Sequence, residues 1–388
     1  MSSVVSPSTS CAERFVIDAR YVEPRPSGIG RYVEALLHRL ATLAPEAEFR
    51  LWTHPARPRL VELPNVICTP VRAPADGLRT LLAPLRLGRL EPGDLIHFPH
   101  SLLGPRLPCP SVVTIHDLMW LEQPELVDGR PLMRRIRQHY YQQGMRWAMR
   151  HATRIIAVSE ATAARIRAVS PESSARIVVT HNAADATFHP PRDAAAAAER
   201  ARAVLGSAAP YYLVVGKNEP YKGHELAVRA FARAARPEEQ LVLVQRNGAG
   251  QQLAALAERL GVASRLRFVP SVSAEDLVAL LQSAHALLQP SLVEGFGIPA
   301  LEAMACGCPV VGSDIPALVE VLGGAGLHAA VGDADALASA MQRLAEPGLR
   351  SQLVERSLAR AQDFDWDKTA RATLAVYRQA ATAAAGRA

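Results

Sequence analysis

The sequence has few cysteines, few aromatic side chains and no long apolar segment. Its five cysteines are spread over 388 residues, too thinly for a disulfide-stapled domain, and Cys306 and Cys308 lack the two-residue gap of a zinc knuckle. No stretch reaches the ~18 apolar residues of a membrane span, and the polar, serine-rich first residues are unlike a signal peptide. We therefore predict a cytoplasmic protein with reduced thiols.

Lysine is nearly absent as well. Of the 43 basic residues, only Lys217, Lys222 and Lys368 are lysines. A GC-rich coding sequence would account for the excess of arginine. Against this background, two lysines five residues apart are conspicuous.

The positive charge is confined to one half of the chain. Residues 1–195 hold 24 arginines against 18 acidic residues and the remainder is neutral, so the whole net charge of +6 lies in the first half. Such an excess suits nucleic acid, an acidic membrane or a phosphorylated ligand. Aromatic residues make up only 5% of the chain and no recognition module is present, so we predict no nucleic-acid partner.

Much of this charge lies in residues 130–176, with ten arginines and two acidic residues. The helix predicted from Leu132 brings Met133, Ile136, Tyr140 and Trp147 to one face at helical spacing. A basic amphipathic helix can rest on an anionic membrane, which would make the protein peripheral at the inner face of a membrane. A solvated basic face is the alternative.

Short β-branched runs alternate with amphipathic helical patterns on both sides of the Ala-rich stretch Asp193–Val204. This alternation predicts an α/β fold of two doubly wound parallel sheets that face a cleft. We place the first domain at residues 1–195 and the second at 205–364. Such sheets bind ligands beyond the carboxyl ends of their strands, so the cleft is the expected site.

The densest cluster of candidate residues follows a predicted strand that ends at Leu288. Gly295, Phe296 and Gly297 would expose backbone N–H groups before a helix that starts at Pro299, and orphan N–H groups and the helix dipole both favour an anion. Glu294 before the helix and Glu302, expected in its first turn, would flank that anion. Carboxylates suit the hydroxyl groups of a ligand better than its phosphates. An ordinary turn with a dipole-complementing glutamate is the alternative.

Lys217 and Lys222 bracket a Pro-containing turn after another predicted strand. Two ammonium groups at the end of a strand can neutralise a diphosphate leaving group. A solvated loop is the alternative.

Three further candidates lie in the first half. Gly28 and Gly30 open a predicted helix, where they would let a ligand approach the helix N-terminus, although a plain loop-to-helix turn fits equally. His116 follows a strand end and is a reasonable ligand contact, although a lone histidine is more often structural.

Two aspartate clusters are set aside as metal sites. Asp333 and Asp335 open a helix, where aspartate is a normal cap, and Asp363, Asp365 and Asp367 lie at the start of the last helix, far from any predicted strand end. We predict no metal and no resident cofactor.

Taken together, these segments resemble the retaining glycosyltransferases of family 4. The resemblance spans nearly the whole chain, and its most specific part is the E-x7-E block SLVEGFGIPALEAMACGCPVV. The other matching segments are SGIGRY near the start, HDL at 116–118, IIAVSEAT at 155–162, NAADATFHP at 182–190, VGKNEPYKG at 215–223 and the Phe364-Asp-Trp366 element.

The resemblance implies a GT-B fold and metal-independent transfer of a sugar from a nucleotide-sugar with retention, and its GT-B form places a C-terminal helix, about 365–388, back on the first, acceptor-binding domain. It implies that Lys217, Lys222, Glu294 and His116 take part in catalysis, with the lysines on the departing diphosphate and Glu294 and His116 at the donor sugar. It also implies that Glu302 holds the ribose hydroxyls. The remaining donor-binding residues would be Gly28, Gly30, Gly295, Phe296, Gly297 and Ile298.

Three positions depart from the family pattern. Lys217 stands where arginine is common, which offers a point charge and no bidentate fork. Pro270 stands where glycine is frequent and removes a backbone donor near the expected base pocket. Asp365 replaces the usual Ser or Thr between Phe364 and Trp366.

The overall likeness to bacterial mannosyltransferases of surface polysaccharide assembly favours GDP-mannose as donor and a glycan or lipid-linked sugar as acceptor. A UDP- or dTDP-sugar donor stays open, as does a sugar-nucleotide epimerase or phosphorylase on the same fold.

Overall fold

The computed structural model describes residues 13–24, 27–73, 75, 90–105, 107–126, 131–245 and 250–385, and the structural statements below concern these residues. Two sheets form where short β-branched and aromatic runs occur, because such side chains pack well in strands that are buried on both faces. Every pair of neighbouring strands is parallel. The predicted α/β fold with two doubly wound parallel sheets is confirmed.

The first sheet is built by the first half of the chain. Its strands are Arg14–Ala19 (β1), Glu48–Thr53 (β2), Val66–Pro70 (β3), Asp94–Phe98 (β4), Ser111–Ile115 (β5), Arg154–Ala157 (β6) and Ile177–Val179 (β7). Their spatial order is β3-β2-β1-β4-β5-β6-β7. The order reverses between β1 and β4, which is where open parallel sheets offer a crevice to a ligand.

The second sheet repeats this plan. Its strands are Tyr211–Val215 (β8), Gln240–Val244 (β9), Leu266–Val269 (β10), Ala286–Gln289 (β11), Val310–Ser313 (β12) and Leu327–Ala329 (β13). They are arranged β10-β9-β8-β11-β12-β13, so the order reverses between β8 and β11. The segments that follow these two strands hold the predicted lysines and glutamates.

Helices connect most of the strands, as parallel pairing requires. In chain order they are Gly28–Leu43 (α1), Met119–Glu122 (α2), Pro131–His151 (α3), Glu160–Val169 (α4), Ala194–Leu205 (α5), His224–Ala234 (α6), Gly250–Arg259 (α7), Ala274–Ser283 (α8), Ile298–Ala305 (α9), Pro316–Leu322 (α10), Ala334–Arg343 (α11), Leu349–Ala361 (α12) and Trp366–Ala385 (α13).

The Ala-rich stretch between the two halves is helix α5. The Asp193 side chain accepts from the N–H groups of Ala195 and Ala196, and Gly206 ends the helix in the left-handed conformation. The helix packs against α8 of the second domain, with an ion pair from Arg200 to Asp276. The boundary segment is therefore an ordered part of the second domain.

Helix α13 returns to the first domain, as expected. It packs on α1 and on strands β4 to β6, and the buried Tyr377 hydroxyl lies 2.6 Å from Nδ1 of His97. Asp365 caps its start, since Oδ1 accepts from the N–H of Asp367 at 2.9 Å. Aspartate, like Ser or Thr, is a favourable residue at a helix N-terminus. Asp333 likewise caps α11, as predicted.

Helix α3 exposes two of the four apolar residues that were predicted to share one face, and the Met133 side chain lies outside the described residues. Ile136 is 58% exposed and Trp147 is 39% exposed, whereas Tyr141 and Met145 face the core. In the described part of the chain, no helix is both long and apolar enough to cross a membrane.

Candidate functional site

The two domains enclose a cavity of about 490 Å³ at the carboxyl ends of their central strands. Its volume is typical of a small-molecule site. All the predicted site residues except Gly30 line it, namely Gly28, His116, Lys217, Lys222, Glu294, Gly295, Phe296, Gly297, Ile298 and Glu302. Sequence segments up to 274 residues apart therefore meet in one cleft, from Gly28 to Glu302.

The start of α1 forms part of the wall from the first domain. Ser27 caps the helix by accepting from the N–H of Gly30 at 3.3 Å, so this N–H is already used within the helix. Gly30 is buried and does not border the cavity. At Gly28 a Cβ atom would meet nothing within 4 Å, which leaves open space beside the backbone.

His116 comes directly after β5 and faces the second domain. Its Nε2 donates to the carbonyl of Pro99 at 3.1 Å, and the Tyr32 ring packs edge-on against it at 4.9 Å between centroids. Burial lowers the pKa of His116 below its usual value of 6.5. The imidazole is therefore neutral at pH 7, with Nε2 protonated and Nδ1 able to accept a hydrogen bond.

The glycine loop, residues 293–297, precedes α9. A Cβ atom on Gly295 would lie 1.6 Å from the carbonyl oxygen of His116, so only glycine permits this approach of the two domains. Gly297 has φ of +106° and caps the helix, which begins at Ile298. Pro299 is thus the second helical residue, one position later than predicted. The loop presents its backbone beside a helix N-terminus, an arrangement suited to an anion.

Glu302 lies beyond the first turn of α9, contrary to the prediction, because the helix starts at Ile298. A helix-dipole role is therefore weakened, since that effect fades after the first turn. Glu302 is 5% exposed, and Arg31 of the first domain approaches its Oε1 to 3.5 Å. Burial raises the pKa of Glu302 to about 7, and Arg31 only partly opposes this effect. Its charge therefore changes near neutral pH.

Lys222 and Glu294 form a mostly buried ion pair with 2.8 Å between Nζ and Oε1. The same carboxylate oxygen accepts from Gln289 Nε2 at 3.0 Å and from Ser291 Oγ at 2.7 Å. Burial lowers the pKa of Lys222, but the Glu294 carboxylate outweighs it, so the pKa lies above 10.5. Lys222 is therefore a fixed cation at the cavity wall.

Lys217 lies in a different environment although it borders the same cavity. Its side chain is exposed, and it forms no ion pair within 4 Å among the described residues. The two predicted lysines are thus unequal: one is buried and oriented by a carboxylate, and the other is free to move in solvent.

The comparison with known proteins agrees with this geometry. Residues 198–359 match the family model for glycosyl transferases group 1, and residues 26–188 match that for glycosyltransferase family 4. A D-inositol 3-phosphate glycosyltransferase of Acidothermus cellulolyticus is 31% identical over 392 residues, which cover 91% of this chain and 86% of that protein. The chain belongs to glycosyltransferase family 4.

Solved structures show that this family 4 glycosyltransferase has the GT-B fold. Sucrose-phosphate synthase from Thermosynechococcus elongatus matches with a TM-score of 0.73 and 22% identity, covering 95% of this chain and 99% of that one. Anabaena HepE in complex with UDP-glucose matches with a TM-score of 0.65 and 20% identity, covering 94% and 98%. The family prediction is confirmed. The relative named above is not described as a mannosyltransferase of surface polysaccharide assembly.

Two cavity residues of the glycosyltransferase had no assigned role in the sequence. Arg31 stands in SGIGRY and Asn182 in NAADATFHP, so both belong to matching segments. Asn182 is 2% exposed and its Oδ1 has no hydrogen-bond partner among the described residues. Their positions in the matching segments could have indicated a function. Only the folded structure shows that both residues line the cavity. Within the described residues, no three His, Cys, Asp or Glu side chains form a metal cluster.

Proposed function

We propose that this glycosyltransferase binds a nucleotide-sugar in the interdomain cavity and transfers its hexose with retention and without a metal ion. The observation that carries the proposal is the combination, in one cavity, of a buried lysine, a glycine loop at a helix N-terminus and a buried carboxylate. The first two suit a diphosphate. The carboxylate suits the hydroxyl pair of a ribose.

In this proposal the protein stabilises the charges that separate in the transition state. Breaking the anomeric C–O bond leaves negative charge on the diphosphate and positive charge on the sugar ring. Lys222 and the N–H groups of the glycine loop stabilise the diphosphate, each such contact contributing ~3 kcal/mol. Lys217, which is exposed, adds long-range charge.

Glu294 and His116 would hold the donor sugar. The Glu294 carboxylate is oriented by Lys222, Gln289 and Ser291, and it accepts from sugar hydroxyls. Neutral His116 accepts a hydrogen bond from a sugar hydroxyl at Nδ1. We propose that the acceptor oxygen attacks the face from which the diphosphate leaves, and that a donor phosphate oxygen takes the acceptor's proton.

The finer assignment of donor and acceptor is also a proposal. GDP-mannose and a glycan or lipid-linked acceptor follow from the sequence likeness described above. A second candidate is a phosphorylated inositol as acceptor, favoured by the name of the relative that covers 91% of this chain. The UDP-glucose complex of a structural relative keeps a UDP-sugar open as donor.

A donor screen tests the proposal. GDP-, UDP- and dTDP-sugars are each added to the purified protein. The sugars of one nucleotide are expected to raise the melting temperature of the protein, because a ligand that binds the native state stabilises that state. That donor is then incubated with candidate acceptors, and released nucleoside diphosphate and the anomeric configuration of the product are measured. Absence of binding by all three classes, or inversion at the anomeric carbon, would contradict the proposal. Turnover of the donor without any acceptor would point to an epimerase.

We further propose that the exposed face of α3 rests on an anionic membrane. The helix contains no acidic residue, and exposed Ile136 and Trp147 stand among exposed arginines, including Arg135 and Arg146. Basic residues gain from anionic lipid, while apolar side chains enter the interface.

Vesicle co-sedimentation checks the membrane proposal. The protein is expected to sediment with phosphatidylglycerol-rich vesicles at low salt, and not with pure phosphatidylcholine vesicles. The variant Arg135→Glu/Arg146→Glu is expected to stay in the supernatant, whereas Arg259→Glu/Arg356→Glu, with the same charge change on exposed positions of the second domain, sediments like the wild type. Equal sedimentation of the two variants would rule out α3 as the contact.

A further inference from the structure

The start of α4 reaches from the first domain to the glycine loop of the second. The Ser159 hydroxyl donates to the carbonyl oxygen of Gly295 at 2.6 Å, and the Thr162 hydroxyl donates to the same oxygen at 3.0 Å. Ser159 is 0% exposed and Thr162 is 2% exposed. Two buried hydroxyls thus converge on one carbonyl across the domain interface. Neither Ser159 nor Thr162 borders the cavity.

A carboxylate of the second domain strengthens the same junction. Glu320, on α10, accepts from the backbone N–H groups of Glu160 at 2.8 Å and Ala161 at 2.9 Å. These are orphan donors at the positive end of α4, where a carboxylate is stabilised. Glu320 also lies 2.7 Å from Nε2 of His181. The two domains are therefore joined by reciprocal contacts around the N-terminus of α4.

The contact fixes the orientation of one peptide group. A trans peptide is planar, with its C=O and N–H pointing in opposite directions. Because the Gly295 carbonyl is held by α4, the N–H of Phe296 points away from α4. Gly295 also lies too close to the His116 carbonyl for any other residue, so the loop has little freedom to turn. Phe296 borders the cavity.

We propose that Ser159 and Thr162 are positioning residues, which orient the Gly295–Phe296 peptide for the donor when the two domains meet. The inference rests on the proposed function of the glycine loop. It assigns to the first domain a part in building the donor site of the second, so that the site is complete only in the joined state.

The test compares two double variants. Ser159→Ala/Thr162→Val removes both hydroxyls, and Thr162→Val keeps the size and shape of the side chain. Ser159→Thr/Thr162→Ser keeps both hydroxyls and serves as the conservative rescue. Ser159 also caps α4 by accepting from the Thr162 N–H at 2.9 Å. Asp333→Ala therefore controls for loss of a cap at a helix that does not border the cavity.

The first measurement compares the effect of the variants on kcat for sugar transfer with their effect on the affinity for free nucleoside diphosphate. In Ser159→Ala/Thr162→Val, kcat for sugar transfer is expected to fall about 30-fold, since small displacements of a donor group cost up to ~10²-fold. The affinity for free nucleoside diphosphate is expected to stay within about 3-fold, because Glu302 and Lys222 are untouched. The rescue variant and Asp333→Ala are expected to keep kcat near the wild type. An unchanged kcat in the first variant, or an equal loss in the rescue variant, would overturn the inference.

A second measurement is independent of transfer. Amide hydrogen exchange in residues 293–300 of the ligand-free protein is expected to speed up in Ser159→Ala/Thr162→Val and not in Asp333→Ala. Unchanged exchange there would overturn the positioning role even if no donor had been found. A wild-type protein without transfer activity, combined with faster exchange in the variant, would contradict only the proposed function.

Discussion

Lys222→Ala is expected to lower the turnover number of the enzyme by more than ~10²-fold. The Lys222 ammonium is a mostly buried cation at the proposed diphosphate site, held 2.8 Å from Glu294. Its loss removes the stabilisation of the leaving group and leaves the Glu294 carboxylate unopposed beside a diphosphate. Steady-state kinetics at saturating donor measure the effect.

Three other variants sharpen this experiment. Lys368→Ala removes the same charge from an exposed position on α13 and should leave turnover unchanged. Lys217→Ala should lower the turnover number less than Lys222→Ala does. Lys217 is exposed, so solvent and salt screen its charge. Lys222→Arg keeps the charge and should retain part of the activity. Turnover of Lys222→Ala within about 10-fold of the wild type would refute the assignment.

Glu302→Gln is expected to weaken donor binding by about 10- to 100-fold at pH 8, because a hydrogen bond to a charged group contributes about 1.5–3 kcal/mol. In the wild type, the donor affinity should fall as the pH drops below the Glu302 pKa of about 7, since a protonated carboxyl is a poorer acceptor for ribose hydroxyls. The variant should bind with an affinity that does not change with pH over this range. Isothermal titration with donor between pH 6 and 8 gives both results.

The free energy of unfolding of the ligand-free protein should depend on pH in the opposite direction: it should fall as the pH rises, whereas the donor affinity should increase. Burial raises the pKa of Glu302 from 4.5 to about 7, so the folded state holds the proton more tightly than the unfolded chain. The resulting stability is present below pH 4.5 and is lost as the pH rises to 7. Glu302→Gln cannot ionise and should be more stable than the wild type at pH 8, by up to about 3 kcal/mol.

The matched control for this prediction is Glu355→Gln, which removes one charge at an exposed position of α12. It should alter neither the donor affinity nor the stability. A wild-type affinity that stays flat between pH 6 and 8 would exclude Glu302 as the ribose acceptor. A joint loss of affinity and stability in Glu302→Gln would instead indicate a purely structural carboxylate.

The alternation of strands and helices was predictable because the central strands are continuous β-branched runs buried on both faces. Three strands have weak sequence signals for physical reasons. Strand β3 is a half-exposed edge strand that ends at Pro70, and β7 and β13 have three residues each. Three residues are too few to show a period, and edge strands lack the apolar signal of central ones.

Residue types at the site were predictable from motifs, but their pairings were not. Lys222 and Glu294 are 72 positions apart, and no local pattern indicates that one orients the other. The contact between Arg31 and Glu302 likewise depends on how the two domains approach. Glu302 was predicted in the first turn because the start of α9 was placed one residue too late, at Pro299 instead of Ile298. Helix boundaries are commonly uncertain by one or two residues.

Helix α3 shows a different limit of pattern reading. Tyr141, Met145 and Ala148 repeat at the same helical spacing as Ile136, Tyr140 and Trp147. Both stripes are apolar, so periodicity alone cannot tell which faces the core. The structure buries the first stripe and exposes Ile136 and Trp147.

The hydrogen bond between His97 and Tyr377 spans 280 positions, and this has a consequence for biosynthesis. The first domain is discontinuous, because its covering helix α13 follows the second domain in the chain. The second domain is complete earlier and can fold while the surface of β4 to β6 that α13 covers is still bare. Long-range closure of this kind slows folding and leaves apolar surface open to aggregation. The order of synthesis thus makes the docking of the twenty residues of α13 the step that completes the first domain.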